Sequence, residues 1–129
     1  MKKLIVISII FALMLGGAIW EIVYTTNVYD DIYDGLIAVQ KSMDEHEDVY
    51  NEETVRLTDE AVGIWESNKE ILFCFGNHNV LRTIDEKLES LKAMVNINYT
   101  DDAKIMVAVS IGLIEAVQND TVPNATNLF

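Results

Sequence analysis

The feature that most constrains this chain is an apolar run at residues 4–23, directly behind Lys2 and Lys3. Ser8 and Glu21 are the only polar side chains in the run. A helix rises about 1.5 Å per residue, so about 20 apolar residues cross a hydrocarbon core of about 30 Å. Such a helix also satisfies its own backbone hydrogen bonds, which the bilayer core requires. The run therefore predicts a transmembrane helix.

The flanks of this run predict its orientation. Trp20 and Tyr24 lie at its C-terminal end, where amphipathic rings favour the membrane interface. The two N-terminal lysines are the only cations before Lys41, so the positive-inside rule places the N-terminus in the cytoplasm. We therefore predict a protein of the cell membrane, with a signal anchor at residues 1–24 and an extracytoplasmic helical domain at residues 25–129.

Two other interpretations fit the same run. A cleaved signal peptide would have its apolar region at residues 4–15, with Gly16 and Ala18 as the small residues before the cut. Against cleavage after Ala18, the apolar character continues to Val23 without a polar segment. A buried helix of a soluble protein is the third interpretation. The uncleaved anchor is the one that the pattern favours.

The chain after the apolar run is strongly acidic. The whole sequence has 21 acidic and 9 basic residues, and Lys2, Lys3 and Glu21 precede Tyr24. The remainder therefore carries 20 acidic and 7 basic residues, a net charge of −13. Such a surface repels DNA, RNA and anionic lipid headgroups, so nucleic acid is not expected as a partner.

Apolar residues recur at helical spacing through the rest of the chain. The first stretch after the run places five of them on one side of a helix: Val28, Ile32, Leu36, Val39 and Met43. Further helices are predicted at residues 52–75, 80–95 and 101–118, and their short connections favour antiparallel neighbours. The predicted fold class is all-α, in which the transmembrane helix continues into a small antiparallel, three- to four-helix, up-and-down bundle.

Polar residues and a glycine mark the predicted helix ends. Asn51 is expected to cap the second of these helices, and Thr100 is expected to cap the last. Gly76 is expected to end the second helix in the left-handed conformation, and Asn77 or Asn79 is expected to cap the third.

The last predicted helix is apolar on two sides. Its predicted core side consists of Ile105, Val109, Leu113, Ala116 and Val117. Its second apolar side consists of Val107, Ile111 and Ile114. That second side is either buried between neighbouring helices, which we favour, or available to a partner. The tail at residues 119–129 ends in Asn127, Leu128 and Phe129 and is expected to fold back onto the bundle.

The sequence contains no catalytic or cofactor-binding motif. The residues three positions before His46 and His78 are Met43 and Phe75, which excludes the Glu-x-x-His pattern of di-iron bundles. Cys74 is the only cysteine, so an intramolecular disulfide is excluded, and we expect this side chain in the core. The sequence predicts no enzyme activity, no cofactor and no metal site.

Three residues are candidates for a ligand pocket. Trp65 lies on the apolar stripe of the second helix and is expected mainly as a core anchor, and Asn68 interrupts that stripe. His78 is expected to hydrogen-bond to backbone or to Asn68, and a histidine titrates near neutral pH. A pocket around Trp65, Asn68 and His78 would make the domain a sensor or a small-ligand-binding bundle.

The order and spacing of several short motifs resemble a known family. The motifs are the Lys-Lys start running into Ile19-Trp20-Glu21, Trp65, Asn77-His78-Asn79, the pattern from Ile84-Asp85-Glu86 to Leu88 and Leu91, and the Asn127-Leu128-Phe129 ending. Together they resemble domain-of-unknown-function family 4363, the small membrane-anchored helical proteins of Clostridium- and Bacillus-type bacteria. The resemblance implies an envelope location and a multi-pass membrane partner, and it implies no activity or cofactor.

These observations favour an accessory or interaction protein of the bacterial cell envelope. Such a protein would dock on a membrane partner or on another copy of itself. The sensor or small-ligand-binding bundle is the alternative.

Overall fold

The computed structural model describes residues 1–121 and folds them into four α-helices. They are α1 (Lys2–Glu45), α2 (Glu52–Phe75), α3 (His78–Asn96) and α4 (Thr100–Thr121). The all-α class is confirmed, and no strand occurs in the described part of the chain. The predicted docking of the C-terminal tail, with Leu128 and Phe129, lies outside the described residues. The first residues assigned to that tail, 119–121, belong to α4.

α1 is a single helix of 44 residues whose two halves have different surroundings. Its apolar half is exposed at every residue from 2 to 20, and this half is long and apolar enough to cross a membrane. No other part of residues 1–121 covers it, so the described part of the chain does not bury the run as the core helix of a soluble bundle. From Thr25 onward the same helix forms one wall of the core, and the predicted stripe is confirmed. Val28 is 7% exposed, and Ile32, Leu36, Val39 and Met43 are fully buried.

The four helices pack as an antiparallel ring. α1 packs against α2 and α4, and α3 packs against α2 and α4. Near the end of α1, the hydroxyls of Ser42 and Thr54 lie 2.7 Å apart. Near the apolar half, the Tyr24 hydroxyl donates a hydrogen bond to Asn68 Oδ1. α2 therefore runs back toward the apolar half of α1. We call the bundle end beside that half, which carries the α2–α3 turn, the proximal end, and the opposite end the distal end.

Hydrogen bonds tie together the two connections at the distal end. Asn98 has a φ of 58°, the left-handed region that a short polar side chain tolerates. Its Oδ1 accepts a hydrogen bond from the Tyr50 backbone N–H at 3.0 Å. Its Nδ2 donates to Asp48 Oδ1 at 3.2 Å. The α3–α4 turn is thereby fastened to the α1–α2 loop.

Two of the predicted caps are present. Asn51 Oδ1 accepts a hydrogen bond from the Thr54 backbone N–H at 2.9 Å, which confirms the prediction for α2. Asn77 Oδ1 accepts one from the Asn79 backbone N–H at 3.0 Å, which makes Asn77 the cap of α3. The prediction for Thr100 is wrong, because α4 begins at that residue rather than after it.

The prediction for Gly76 is wrong in its conformation. Its φ of −100° and ψ of 173° are extended rather than left-handed. The structure uses the missing side chain instead, since a Cβ at this position would lie 2.7 Å from Leu81 Cδ1. Gly76 thus allows the buried Leu81 side chain to pack against the end of α2.

The second apolar side of α4 is buried, which confirms the favoured alternative, whereas the predicted core side is buried only in part. Val107, Ile111 and Ile114 are 1%, 8% and 0% exposed and lie in the core. On the predicted core side, Ile105 and Val109 are 61% and 40% exposed. Both sides have helical spacing, so periodicity does not distinguish them. The packing of α4 between α1 and α3 decides which side is buried.

The last turn of α2 is more exposed than predicted. Ile71 and Phe75 are 39% and 45% exposed, and Cys74, which was expected in the core, is exposed as well. This turn lies beside the apolar half of α1 rather than between the helices of the bundle. The ring of Phe75 meets the ring of Trp20 edge to face, with 6.3 Å between their centroids.

Gly35 marks a close approach of α1 and α2, and Gly63 provides a matched control. A Cβ on Gly35 would lie 3.1 Å from Ala61 Cβ, whereas a Cβ on Gly63 would meet nothing within 4 Å. Replacement of either glycine by alanine gains about 1 kcal/mol of helix propensity. We expect Gly63→Ala to increase the free energy of unfolding. The free energy of unfolding of Gly35→Ala should be at least about 1 kcal/mol lower than that of Gly63→Ala, because the added methyl group crowds the contact between α1 and α2.

Urea unfolding of the full chain in mild detergent, followed by tryptophan fluorescence, measures this difference. Equal free energies of unfolding for Gly35→Ala and Gly63→Ala would contradict the close approach of α1 and α2.

Candidate functional site

Trp65 is an anchor of the core. Its side chain is fully buried, and its ring lies edge to face with the ring of Phe73 at 6.5 Å between centroids. Its indole N–H donates a hydrogen bond of 2.6 Å to Asp85 Oδ1 on α3. The aromatic body thus packs among apolar groups while its one polar atom is satisfied. The residue joins α2 to α3.

Asp85 belongs to a small charged cluster on the surface of α2 and α3. The Lys69 ammonium lies 2.9 Å from Glu66 Oε2 and 3.2 Å from Asp85 Oδ1. The hydrogen bonds to Glu66 and then to Asp85 raise the pKa of Lys69. Glu89 is the third carboxylate, and ligand atoms of Glu66, Asp85 and Glu89 lie within 4.8 Å of one another. Because Lys69 already pairs with two of the three, we interpret the cluster as an ion-pair network.

Asn68 closes a contact between α1 and α2. Its Oδ1 accepts a hydrogen bond from the Tyr24 hydroxyl, and its Nδ2 donates to the Ile64 carbonyl at 2.7 Å. The side chain is therefore engaged in joining the two helices at the proximal end. Asn68 had stood out in the sequence as a polar residue in an apolar stripe, but its partner is 44 positions away.

His78 is an exposed residue at the start of α3. Its ring packs edge to face against the Phe73 ring, with 5.5 Å between the centroids. It does not pair with Asn68, whose amide bonds elsewhere. Trp65, Asn68 and His78 therefore do not share a pocket: the first is enclosed, the second joins helices and the third lies at the surface.

A partly open cavity of about 320 Å³ lies at the proximal end, beside these residues and not lined by them. α1, the α2–α3 turn and the end of α4 surround it. Its walls combine apolar and polar side chains, among them Ile22, Leu72, Val80, Glu21, Asn77 and Asp120. No sequence motif marks this cavity, because its walls come from four separate parts of the chain.

Tyr29 is the buried tyrosine in the wall of this cavity. It is 3% exposed, and burial raises the pKa of its phenol to about 12. Desolvation disfavours the charged phenolate, so the hydroxyl stays protonated over the whole physiological range. Tyr29 can therefore offer a hydrogen-bond donor to a molecule in the cavity.

No family model, no curated protein and no solved structure matches this chain. The resemblance to domain-of-unknown-function family 4363 therefore stays a prediction from the residue pattern.

Removal of the Asp85 carboxylate tests the anchor at Trp65. Asp85→Ala leaves the buried indole N–H without its acceptor, so we expect the free energy of unfolding to fall by about 1–3 kcal/mol. Asp59→Ala is the control, because Asp59 pairs with Lys92 at 3.0 Å with both side chains about half exposed. Its effect should stay below about 1 kcal/mol. Urea unfolding measures both, and equal losses would contradict the role of Asp85.

The raised pKa of Tyr29 predicts that the folded protein loses stability at high pH. Between pH 10 and about 12 the unfolded phenol ionises, while the folded one keeps its proton. The free energy of unfolding should therefore fall as the pH rises through this window, by at most about 2.7 kcal/mol for two pKa units. Denaturation curves at several pH values measure this slope. Tyr29→Phe should lack this contribution, and an unchanged slope in that variant would contradict the prediction.

Proposed function

We propose that this protein is a single-pass membrane protein whose acidic helical domain serves as an accessory or interaction module at the bacterial cell envelope. The domain docks on a membrane partner or on a second copy of the chain. The proposal assigns no catalytic step and no cofactor. It includes membership of family 4363, which rests on the residue pattern alone, and a multi-pass partner is what that resemblance implies.

The observation that carries the proposal is the division of α1 into an exposed apolar half and a packed half. The window that could cross a membrane is 0% buried within the described residues. Exposed apolar side chains on this scale are costly in water and are satisfied by hydrocarbon. Since the helix enters the bundle without a break, the anchor and the folded domain are parts of one element.

Charge supports the proposed orientation. Lys2 and Lys3 precede the apolar half, and the domain behind it is acidic, with a net charge of −13 after Tyr24. The positive-inside rule then favours a cytoplasmic N-terminus and an extracytoplasmic domain. An acidic surface also keeps the domain away from anionic headgroups.

The outward side of α4 supports the docking role. Ile105 and Val109 are 61% and 40% exposed, and the smaller residues Ala108, Gly112 and Ala116 on α4 are exposed as well. Apolar exposure along one helix is typical of a surface that meets another protein. This surface replaces the side of Val107, Ile111 and Ile114 that the sequence offered as an interaction face.

The test is crosslinking of the full chain in its native membrane, followed by affinity purification and mass spectrometry. We expect a recurrent membrane protein, or a crosslinked homodimer, together with an intact N-terminal peptide that starts at Met1. Ile105→Ser should reduce the crosslinked species several-fold, because it removes the most exposed apolar side chain of the docking side. A mature N-terminus at Ile19 and no recurrent crosslink would overturn the proposal.

Ile97→Ser is the matched control. Ile97 has the same side chain and is 59% exposed, but it lies in the distal α3–α4 turn rather than on the outward side of α4. Its crosslinks should match those of the unmodified chain. Equal losses in Ile97→Ser and Ile105→Ser would contradict docking through α4.

The cavity beside Tyr29 favours small-ligand binding as a second candidate function. Its volume of about 320 Å³ and mixed lining are within the range of small-molecule sites. A ligand hydrogen-bonded to the Tyr29 hydroxyl would change the pKa of that phenol. Titration of Tyr29 absorbance in the presence of candidate amphiphiles therefore tests this role, with Tyr29→Phe as the control.

A further inference from the structure

We propose that the last turn of α2, at the proximal end, makes a second contact with the membrane, at the boundary between the lipid headgroups and the acyl chains. The surface that makes it consists of Ile71, Cys74 and Phe75, and its occupant is a zwitterionic lipid surface. This inference rests on the proposed anchoring by α1. It adds a contact that holds the folded domain against the bilayer.

The depth of the turn follows from its contact with α1. The ring of Phe75 meets the ring of Trp20 with 6.3 Å between centroids. Trp20 lies three residues before the end of the apolar run, which corresponds to about 4.5 Å along the helix. The interfacial region adds about 5–8 Å on each side of the hydrocarbon core. If the run spans the membrane, the Phe75 ring therefore lies near the boundary between the hydrocarbon core and this interfacial region.

Aromatic residues gather at this level. The ring of Trp20 also stacks on the ring of Tyr24, with centroids 5.3 Å apart. Trp20 is 54% exposed and Phe75 is 45% exposed, so the described part of the protein leaves these rings partly uncovered. Aromatic rings at the end of a span are typical of the membrane interface. Phe75 extends that group from α1 onto a second helix.

The neighbouring residues enlarge the apolar surface of the turn. Ile71 lies one helical turn before Phe75 and is 39% exposed, and Cys74 is exposed beside it. Exposure of these side chains to water is unfavourable, and their burial between headgroups and acyl chains lowers the free energy. The exposure that was unexpected for the end of a core helix is what a shallow membrane contact requires.

Charge selects the kind of lipid surface. Glu70 on α2 is exposed, Glu21 on α1 is half-buried near the turn, and Lys69, the cation of this part of α2, is paired with Glu66 and Asp85. Arg82 on α3 is exposed as well, but this one cation only partly offsets the acidic groups, so this end offers little attraction to anionic headgroups. The contact is therefore made by apolar insertion, and a zwitterionic bilayer fits it.

Cys74 allows a direct test. The full chain is reconstituted in phosphatidylcholine nanodiscs with a nitroxide spin label on its single cysteine. Relaxation by oxygen and by a water-soluble nickel chelate then reports the depth of the label. We expect the chelate accessibility of Cys74 to be several-fold lower than that of a label at the distal end, placed by Glu47→Cys in a Cys74→Ala background.

A variant of the turn keeps the experiment specific. Phe75→Ser should raise the chelate accessibility of the Cys74 label toward the distal value, because the main apolar group of the contact is lost. Ile97→Ser removes an exposed apolar side chain at the distal end and should leave the chelate accessibility of the Cys74 label unchanged. Low accessibility that persists in Phe75→Ser would overturn the assignment of this contact to Phe75.

A carbonate wash of phosphatidylcholine vesicles that carry the protein, done beside the nanodisc measurement, distinguishes two failures. If carbonate extracts the protein from vesicles, α1 is not an anchor, and both the proposed function and this inference fail. If the protein stays in the membrane and Cys74 is as open to the chelate as the distal label, the anchor stands and the second contact is overturned.

Discussion

Burial of the α1 stripe is the interaction on which the rest of the bundle depends. Ile32, Leu36 and Met43 are fully buried, and α1 is in contact with both α2 and α4. Each such side chain contributes about 1.5–3 kcal/mol when it leaves water. The apolar half of the same helix adds nothing to this core, because Thr25 is the first buried residue. A chain cut after Ala18 would therefore keep the buried contacts of the bundle.

The two ends of the bundle are built differently. At the distal end Asn98 joins Tyr50 and Asp48 by hydrogen bonds, so the two connections there brace each other. At the proximal end a cavity lies between α1, the α2–α3 turn and the end of α4, and aromatic rings remain exposed. The features that can meet a ligand or a bilayer thus gather at the end beside the apolar half of α1.

The sequence predicted most of the fold and little of the site, for physical reasons. The α1 stripe was predictable because only one side of that helix is apolar, whereas α4 has two apolar sides and only its neighbours decide between Ile105 and Ile111. Phe75 continues a core stripe in sequence, yet it lies where no bundle helix covers it. The bond from Trp65 to Asp85 and the cavity beside Tyr29 join distant parts of the chain, which helical periodicity does not reveal.

The continuity of α1 has a mechanical consequence. Between Gly17 and Gly35 the helix contains neither glycine nor proline, the residues at which sharp bends most often form, and α1 runs through this stretch as one helix. A rotation or tilt of the apolar half is therefore transmitted as a rigid movement to the ring of helices. The outward side of α4 would move with it. The tilt and rotation of α1 would therefore set the direction that the outward side of α4 faces.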